Sequence, residues 1–265
     1  METDFFSQLV MRLIRLEESI EETMYFSLAS SIKGETVELK EQFLPSFLLV
    51  EVRQVATSPL YFEYNKNRKQ HVLSQFATFA NSYSLIKLTA CWEAFMLEYI
   101  IVMEMAKTDD YGLKNQTIIR KDLRDKGTGN KSGTGLLKEL DKLYQLNIVQ
   151  SSEFQVIDSI YKLRDCIAHR DGVISKWDLD KNSDFMNTVW KKAVVKENKQ
   201  TLSAWTLAGK NKFKTILKDE KKQWFQNQVI VLKDTETCDI GLSLIEIGNT
   251  VFNRLVDYGK AHHFR

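Results

Sequence analysis

The chain has 265 residues, of which 43% are hydrophobic and 27% are charged, and its formal net charge is +2. This ordinary globular composition argues against a disordered chain, a collagen-like chain and a disulfide scaffold. With only 2 prolines and 11 glycines, a sandwich or barrel of many short strands joined by Pro/Gly turns is disfavoured, and long uninterrupted helices are expected. We therefore predict a mainly α fold.

The first half of the chain predicts helices separated by short connections. Apolar residues three or four apart from Phe6 onward indicate an amphipathic helix ending near Gly34. A second helical piece follows Pro45, and the longest periodic stretch, residues 71–107, predicts a long core helix. The glycine-rich residues 125–135 predict a mobile loop, and they lack the Gly-Lys-Ser/Thr ending and preceding strand of a Walker A phosphate loop.

The second half predicts a helix, a strand-containing region and a final helix. A serine cap begins the helix at about residues 153–170, and Gly172 ends it. Residues 193–205 and 223–235 look like short strands or hairpins, and a last helix covers about 239–260.

This pattern suggests two regions. We expect an N-terminal helical extension over residues 1–70 and a helical domain over 71–265. The domain carries a basic, partly β insertion at about 175–235.

The small net charge conceals a segregation of charge along the chain. Residues 1–52 hold ten acidic residues against four basic ones, giving −6, whereas residues 191–222 hold ten lysines against three acidic residues, giving +7. The basic segment also contains aromatic residues, a mixture suited to holding single-stranded RNA by phosphate contacts and base stacking. Its candidate RNA contacts are Lys210, Lys212 and Lys214. The alternative is a solvated lysine face over aromatic residues that belong to the core.

Nothing in the sequence predicts export, a membrane span or a metal site. The N-terminus has no basic region before an apolar stretch, and acidic residues interrupt the most apolar run. The three widely spaced cysteines fit buried thiols in a reducing compartment, so we expect a cytoplasmic protein. Asp178 and Asp180 begin like a calcium loop, but Ser183 and Val189 stand where glycine and glutamate are needed, which favours a polar turn. No metal and no cofactor are expected.

The helix at 153–170 is the segment that carries candidate chemistry. It has two neighbouring apolar stripes, so it is either central in a bundle or contacts a second subunit along its outer stripe. Arg164 falls between the stripes and needs a carboxylate, a phosphate or a solvent-filled groove, with Glu93 and Glu98 as candidate protein partners. Asp165 and His169 are four residues apart and share a face, where the carboxylate can orient the imidazole.

The run Arg164-Asp165-Cys166-Ile167-Ala168-His169, followed by Arg170 and Gly172, resembles the R-x4-6-H motif of the HEPN superfamily. The preceding helix, with LTACWEAFMLEYI, is similar to the family's earlier core helix, and Glu93 matches its glutamate. The resemblance covers roughly residues 72–172. It implies an antiparallel HEPN-like helical bundle.

Many members of that superfamily are metal-independent ribonucleases of toxin, abortive-infection and RNA-surveillance systems that act as dimers. The resemblance therefore implies an endoribonuclease, a toxin or antiphage effector, with RNA as substrate and a homodimer as the assembly. His169 would be the general acid/base, Arg164 the phosphate clamp and Asp165 an orienting group, supported by Glu93 and Arg170. The alternative is a non-catalytic HEPN module that binds nucleotide, RNA or a protein partner such as a nucleotidyltransferase-like antitoxin.

Overall fold

The computed structural model describes residues 4–36, 66–197, 200–203 and 215–264. Within these ranges the chain forms six α-helices and a small antiparallel sheet that precedes the last helix. The helices are α1 (Phe5–Thr36), α2 (Lys66–Thr108), α3 (Leu113–Asp125), α4 (Gly133–Tyr144), α5 (Ser152–Arg170) and α6 (Asp234–Ala261). The mainly helical fold is confirmed. The helical piece predicted after Pro45 lies outside the described residues.

The longest helix, α2, forms the middle of the hydrophobic core. Its residues Leu85, Leu88, Trp92 and Tyr99 are fully buried, as expected for apolar side chains that recur every three or four residues on one helical face. Helices α1, α4, α5 and α6 contribute buried residues to the same cluster. The N-terminal helix is thus packed into the bundle.

Glycines on α6 allow α1 to approach it closely. A Cβ added at Gly259 would lie 2.2 Å from Cε1 of Phe5, and one at Gly248 would lie 2.8 Å from Cδ2 of Leu16. Both distances are shorter than carbon atoms tolerate, so a larger residue would force Phe5 or Leu16, or the helices themselves, to shift. The close packing of α1 on α6 therefore depends on these glycines.

Helix α5 is central in the bundle. Its core stripe includes Val156, Ile160 and Leu163, and two residues of the predicted outer stripe, Ile157 and Tyr161, are also buried, with exposed fractions of 0% and 4%. These two residues are therefore covered by other parts of the same chain. Of the remaining residues of that stripe, Phe154 is partly buried and Ala168 is exposed, so only the last turn of the stripe is open to another molecule.

The stretch expected to be a mobile loop is instead mostly ordered by local bonds and packing. Thr128–Asn130 form a short 3-10 helix, and the Ser132 hydroxyl accepts a hydrogen bond from the backbone N–H of Gly135 at the start of α4. Gly133 lies so close to Tyr161 that an added Cβ would be 2.1 Å from the hydroxyl oxygen. This glycine therefore serves helix packing.

The sheet has the strand order β2-β1-β3, with β1 at Phe185–Glu197, β2 at Gln200–Ser203 and β3 at Thr215–Phe225. Both pairings of β1 are antiparallel. Helix α6 packs beside β1, where the Asp239 carboxylate accepts from the N–H of Ala193 at 3.0 Å and the Ser243 hydroxyl accepts from the N–H of Lys191 at 2.7 Å. These bonds satisfy backbone donors of β1 and fix the sheet to the bundle.

The strands confirm the prediction of β structure in the last third of the chain, with different bounds. β1 begins at Phe185, earlier than expected, and β3 ends at Phe225, so most of the predicted strand at 223–235 is not part of the sheet. Within that segment, Val229 makes an isolated bridge to Val173. The final helix begins at Asp234, five residues earlier than predicted.

Candidate functional site

The end of α5 and the segment that follows it enclose an open groove. Helix α5 contributes Lys162, Asp165, His169 and Arg170, and the chain after the helix contributes residues 177–181. The groove has a volume of about 480 Å³. Its position follows from the fold, because the buried stripes of α5 face the core and leave this polar side of the helix facing solvent.

His169 is exposed in the last turn of α5 and lines the groove. Asp165 lies one helical turn before it on the same side. Within the described part of the chain, His169 has no hydrogen-bond or ion-pair partner. The imidazole is therefore accessible to a molecule in the groove.

Arg164 is held beside the groove by its neighbour in sequence. Its Nη1 donates to Oδ1 of Asp165 at 2.8 Å, and its side chain is 28% exposed. The hydrogen bond to Asp165 raises the pKa of Arg164, and the charge of Glu93 adds to this effect. Its Nε is buried and has no hydrogen-bond partner. Arg164 does not line the groove, and among the described residues it forms no hydrogen bond or ion pair with His169.

The two glutamates proposed as partners of Arg164 have different roles. Glu98 forms ion pairs with Arg12 and Arg120, away from α5. Glu93 is near Arg164 but forms no ion pair with it among the described residues. Among the described residues, the ion-pair partner of Arg164 is therefore Asp165 and neither of the two glutamates.

Glu93 lies close to the buried hydroxyl of Tyr161. That hydroxyl donates to the backbone oxygen of Thr89 at 3.1 Å. Burial raises the pKa of Tyr161, and the nearby carboxylate of Glu93 raises it further. Glu93 thus belongs to the contact between α2 and α5 behind the groove.

Arg170 fastens the segment after α5 to the helix. Its Nη2 forms an ion pair with Asp178 and donates to Sγ of Cys166 at 3.4 Å. Asp178 also accepts bonds from Ser175, at 2.8 Å from the backbone N–H and 2.7 Å from the hydroxyl. Burial raises the pKa of Asp178, but these bonds and the charge of Arg170 outweigh it, and the pKa is lowered overall.

The predicted polar turn also uses its second aspartate as an anchor. Asp180 accepts from Lys162 at 3.2 Å and from the backbone N–H of Asn187 at 2.8 Å. Asp178 and Asp180 therefore have separate partners. Among the described residues, no group of three or more His, Cys, Asp and Glu side chains is arranged to hold a metal ion.

The described part of the basic segment is less available than its composition suggested. Trp190 and Trp224 are 0% and 1% exposed, so they cannot stack on bases. Lys191 and Lys192 form ion pairs with acidic residues of β3. The predicted RNA contacts Lys210, Lys212 and Lys214 lie outside the described residues.

One aromatic residue that lines the groove, Trp177, was not predicted from the sequence. Its side chain is 82% exposed. The available signal was a lone aromatic residue in the mostly polar segment from Asp171 to Asp184. Lys162 and Lys181, which also line the groove, were not singled out because isolated lysines are common on surfaces.

The three cysteines are free thiols. Cys91 is partly exposed, whereas Cys166 and Cys238 are buried. Burial raises the pKa of Cys166 to about 11 and that of Cys238 to about 12. Separately, none of the described helices combines the length and apolar character needed to cross a bilayer.

No protein-family model, curated protein or solved structure matches this chain.

Proposed function

We propose that this protein is a metal-independent endoribonuclease of HEPN type that acts in the cytoplasm as a toxin or antiphage effector. The observation that carries the proposal is the free, exposed imidazole of His169, which lines a groove with the Asp165 carboxylate one helical turn away. The run from Arg164 to His169 gives the R-x4-6-H spacing. Lys181, which lines the groove and has no ion-pair partner among the described residues, adds positive charge there, whereas Arg170 and Lys162 are paired with Asp178 and Asp180.

The proposed reaction is an internal transesterification of RNA. The neutral imidazole of His169 takes the proton of a ribose 2′-hydroxyl, and the 2′-oxygen forms a bond to the adjacent phosphorus. The bond from phosphorus to the 5′-oxygen breaks, and the imidazolium returns a proton to that oxygen. The products are a 2′,3′-cyclic phosphate and a 5′-hydroxyl. The RNA supplies its own nucleophile, so the step does not require a metal-activated water.

We place Arg164 at a seam between two copies of the chain. Its guanidinium is partly exposed next to the groove but does not line it within one protomer. A second copy covering this end of α5 would bring a guanidinium toward the phosphate, where its charge stabilises the transition state. Asp165 then positions Arg164 through their 2.8 Å bond and limits the mobility of the guanidinium.

The test compares His169→Ala with the wild type on cellular RNA in EDTA, with 5′-hydroxyl ends mapped. We expect the variant to cleave roughly 100- to 10,000-fold more slowly, the usual contribution of a general acid/base. His263→Ala is the matched control, since it removes another exposed histidine outside the groove. Light scattering of the purified protein tests for the dimer.

Unchanged cleavage by His169→Ala would refute the assignment of His169. Cleavage that depends on added divalent metal would contradict the mechanism. A variant that loses activity together with its thermal transition would show only a folding defect, so the melting curve of each variant is measured beside its activity.

A second candidate is a non-catalytic HEPN module that binds nucleotide, RNA or a protein partner such as an antitoxin. The observation in its favour is that Arg164 and Arg170 already have carboxylate partners, Asp165 and Asp178. Arginines neutralised in this way can be structural. Binding of RNA without cleavage of any substrate would favour this module over the enzyme.

A further inference from the structure

Trp177 stands out among the described tryptophans because its side chain is exposed. It is 82% exposed, whereas Trp92, Trp190 and Trp224 are at most 1% exposed. Exposing an indole of this size sacrifices the free energy that its burial would supply. Trp177 lines the same groove as His169, so a molecule bound there can contact the indole.

The backbone that carries Trp177 is held in place. Its N–H donates to the Ser175 hydroxyl at 3.2 Å, and that hydroxyl donates to Asp178 at 2.7 Å. Asp178 is only 9% exposed and is paired with Arg170 on α5. Bonds on both sides of the tryptophan therefore fix the turn, which lowers the entropy lost when a ligand binds to the indole.

The surroundings of the indole are suited to an anionic polymer. Nζ of Lys176 lies 4.7 Å from the centre of the Trp177 ring, close enough for a cation–π interaction. Lys181 lines the groove and has no ion-pair partner within the described ranges. Asp178 and Asp180 on the same turn are already paired with Arg170 and Lys162.

We propose that Trp177 is a stacking platform for one unpaired base of a single-stranded RNA. Phosphates of the strand contact Lys176 and Lys181, and the backbone then passes His169. This inference rests on the proposed function, because it specifies the substrate of the same groove. Single strands are selected since bases inside a duplex are already stacked and their faces are unavailable. The positive charge beside the indole favours RNA over an apolar protein partner.

The test measures RNA binding in the His169→Ala background, so that cleavage does not enter the result. Fluorescence anisotropy follows a labelled 12-nucleotide single strand and the same strand in a duplex. We expect Trp177→Ala to bind the single strand roughly 5- to 150-fold more weakly, the range for loss of one stacked base. Trp177→Phe, which keeps an aromatic face, is expected to retain most of the affinity. Duplex binding should be weak and unaffected by either change.

A set of strands with one abasic position provides the decisive comparison. The parent protein in this comparison is the His169→Ala variant, which retains Trp177. At the position that stacks on Trp177, loss of the base should weaken binding to the parent but leave binding to Trp177→Ala unchanged. Equal affinities of Trp177→Ala and its parent for the intact strand would overturn the proposal, as would failure of the parent to bind any single strand. Binding of a protein partner that depends on Trp177, without RNA binding, would also overturn it.

The outcomes separate this inference from the proposed function. If the strand binds through Trp177 but wild-type protein never cleaves it, the platform stands and the ribonuclease proposal fails. If the wild type cleaves RNA and Trp177→Ala binds and cleaves RNA normally, the ribonuclease proposal stands and the platform proposal fails. Because Trp177 is exposed, its replacement should leave the thermal transition unchanged, and melting curves verify this.

Discussion

Replacing Asp178 by asparagine tests how the turn that follows α5 and lines the groove is attached to the helix. The substitution removes the negative charge that pairs with Arg170 and leaves an amide oxygen that still accepts the bonds from Ser175. A hydrogen bond to a charged group contributes about 1.5–3 kcal/mol. Arg170 is 31% exposed, so solvent screening reduces this contribution. We expect Asp178→Asn to lower the free energy of unfolding by about 1–2 kcal/mol at pH 7.

The effect should depend on pH in a defined direction. The pKa of Asp178 in the folded protein is lowered from its ordinary value of 3.8. Its ionised form therefore stabilises the fold above that ordinary value, and the stabilisation is lost as the pH falls through the lowered pKa. Asparagine does not titrate. The difference between wild type and variant should thus be complete at pH 7 and shrink progressively below about pH 4.

Urea unfolding of both proteins, followed by circular dichroism at several pH values, measures this difference. Asp165→Asn is the matched control, because Asp165 is 50% exposed in its pair with Arg164. An exposed pair contributes at most about 1 kcal/mol. Equal effects of the two variants at pH 7, or a deficit of Asp178→Asn that persists undiminished in acid, would refute the reasoning.

Two further predictions concern packing and thiol reactivity. Gly133→Ala would place a Cβ 2.1 Å from the Tyr161 hydroxyl, so we expect the free energy of unfolding, measured in urea, to fall by about 1–3 kcal/mol. The control Gly129→Ala has open space around its Cβ and should change this free energy by less than about 0.5 kcal/mol. Equal losses in the two variants would refute the packing argument. Burial raises the pKa of all three cysteines, but only Cys91 is partly exposed. In the native protein at pH 8, Cys91 should therefore react with a thiol reagent well before the other two, and three thiols reacting at one fast rate would contradict the burial of Cys166 and Cys238.

Helix periodicity was the most informative part of the sequence. The long core helix was predicted at 71–107 and is found within Lys66–Thr108, and the helix at 153–170 is found at Ser152–Arg170. These predictions succeeded because the spacing of apolar residues and the capping residues are local properties of the chain. Strand bounds were less accurate, since pairing partners lie far apart in sequence: Phe185 pairs with Phe225.

The candidate site could be predicted only in part. The sequence identified His169 and Asp165 on one face of a helix, because residues four apart are neighbours on any α-helix. It did not identify Trp177, whose approach to His169 requires the turn that Arg170 and Asp178 hold together. Nor did it show that Ile157 and Tyr161, on the second apolar stripe of α5, are buried within the chain.

By itself, then, the sequence determined a proline-poor, mainly helical protein with strands in its last third and one helix carrying an arginine and a histidine five positions apart. The tertiary structure decided that Arg164 pairs with Asp165, while Glu98 pairs with other arginines. It also decided that His169 faces an open groove. The physical reason is that periodicity shows which side of a helix is apolar, whereas the partner of each polar side chain depends on which distant segment packs beside it.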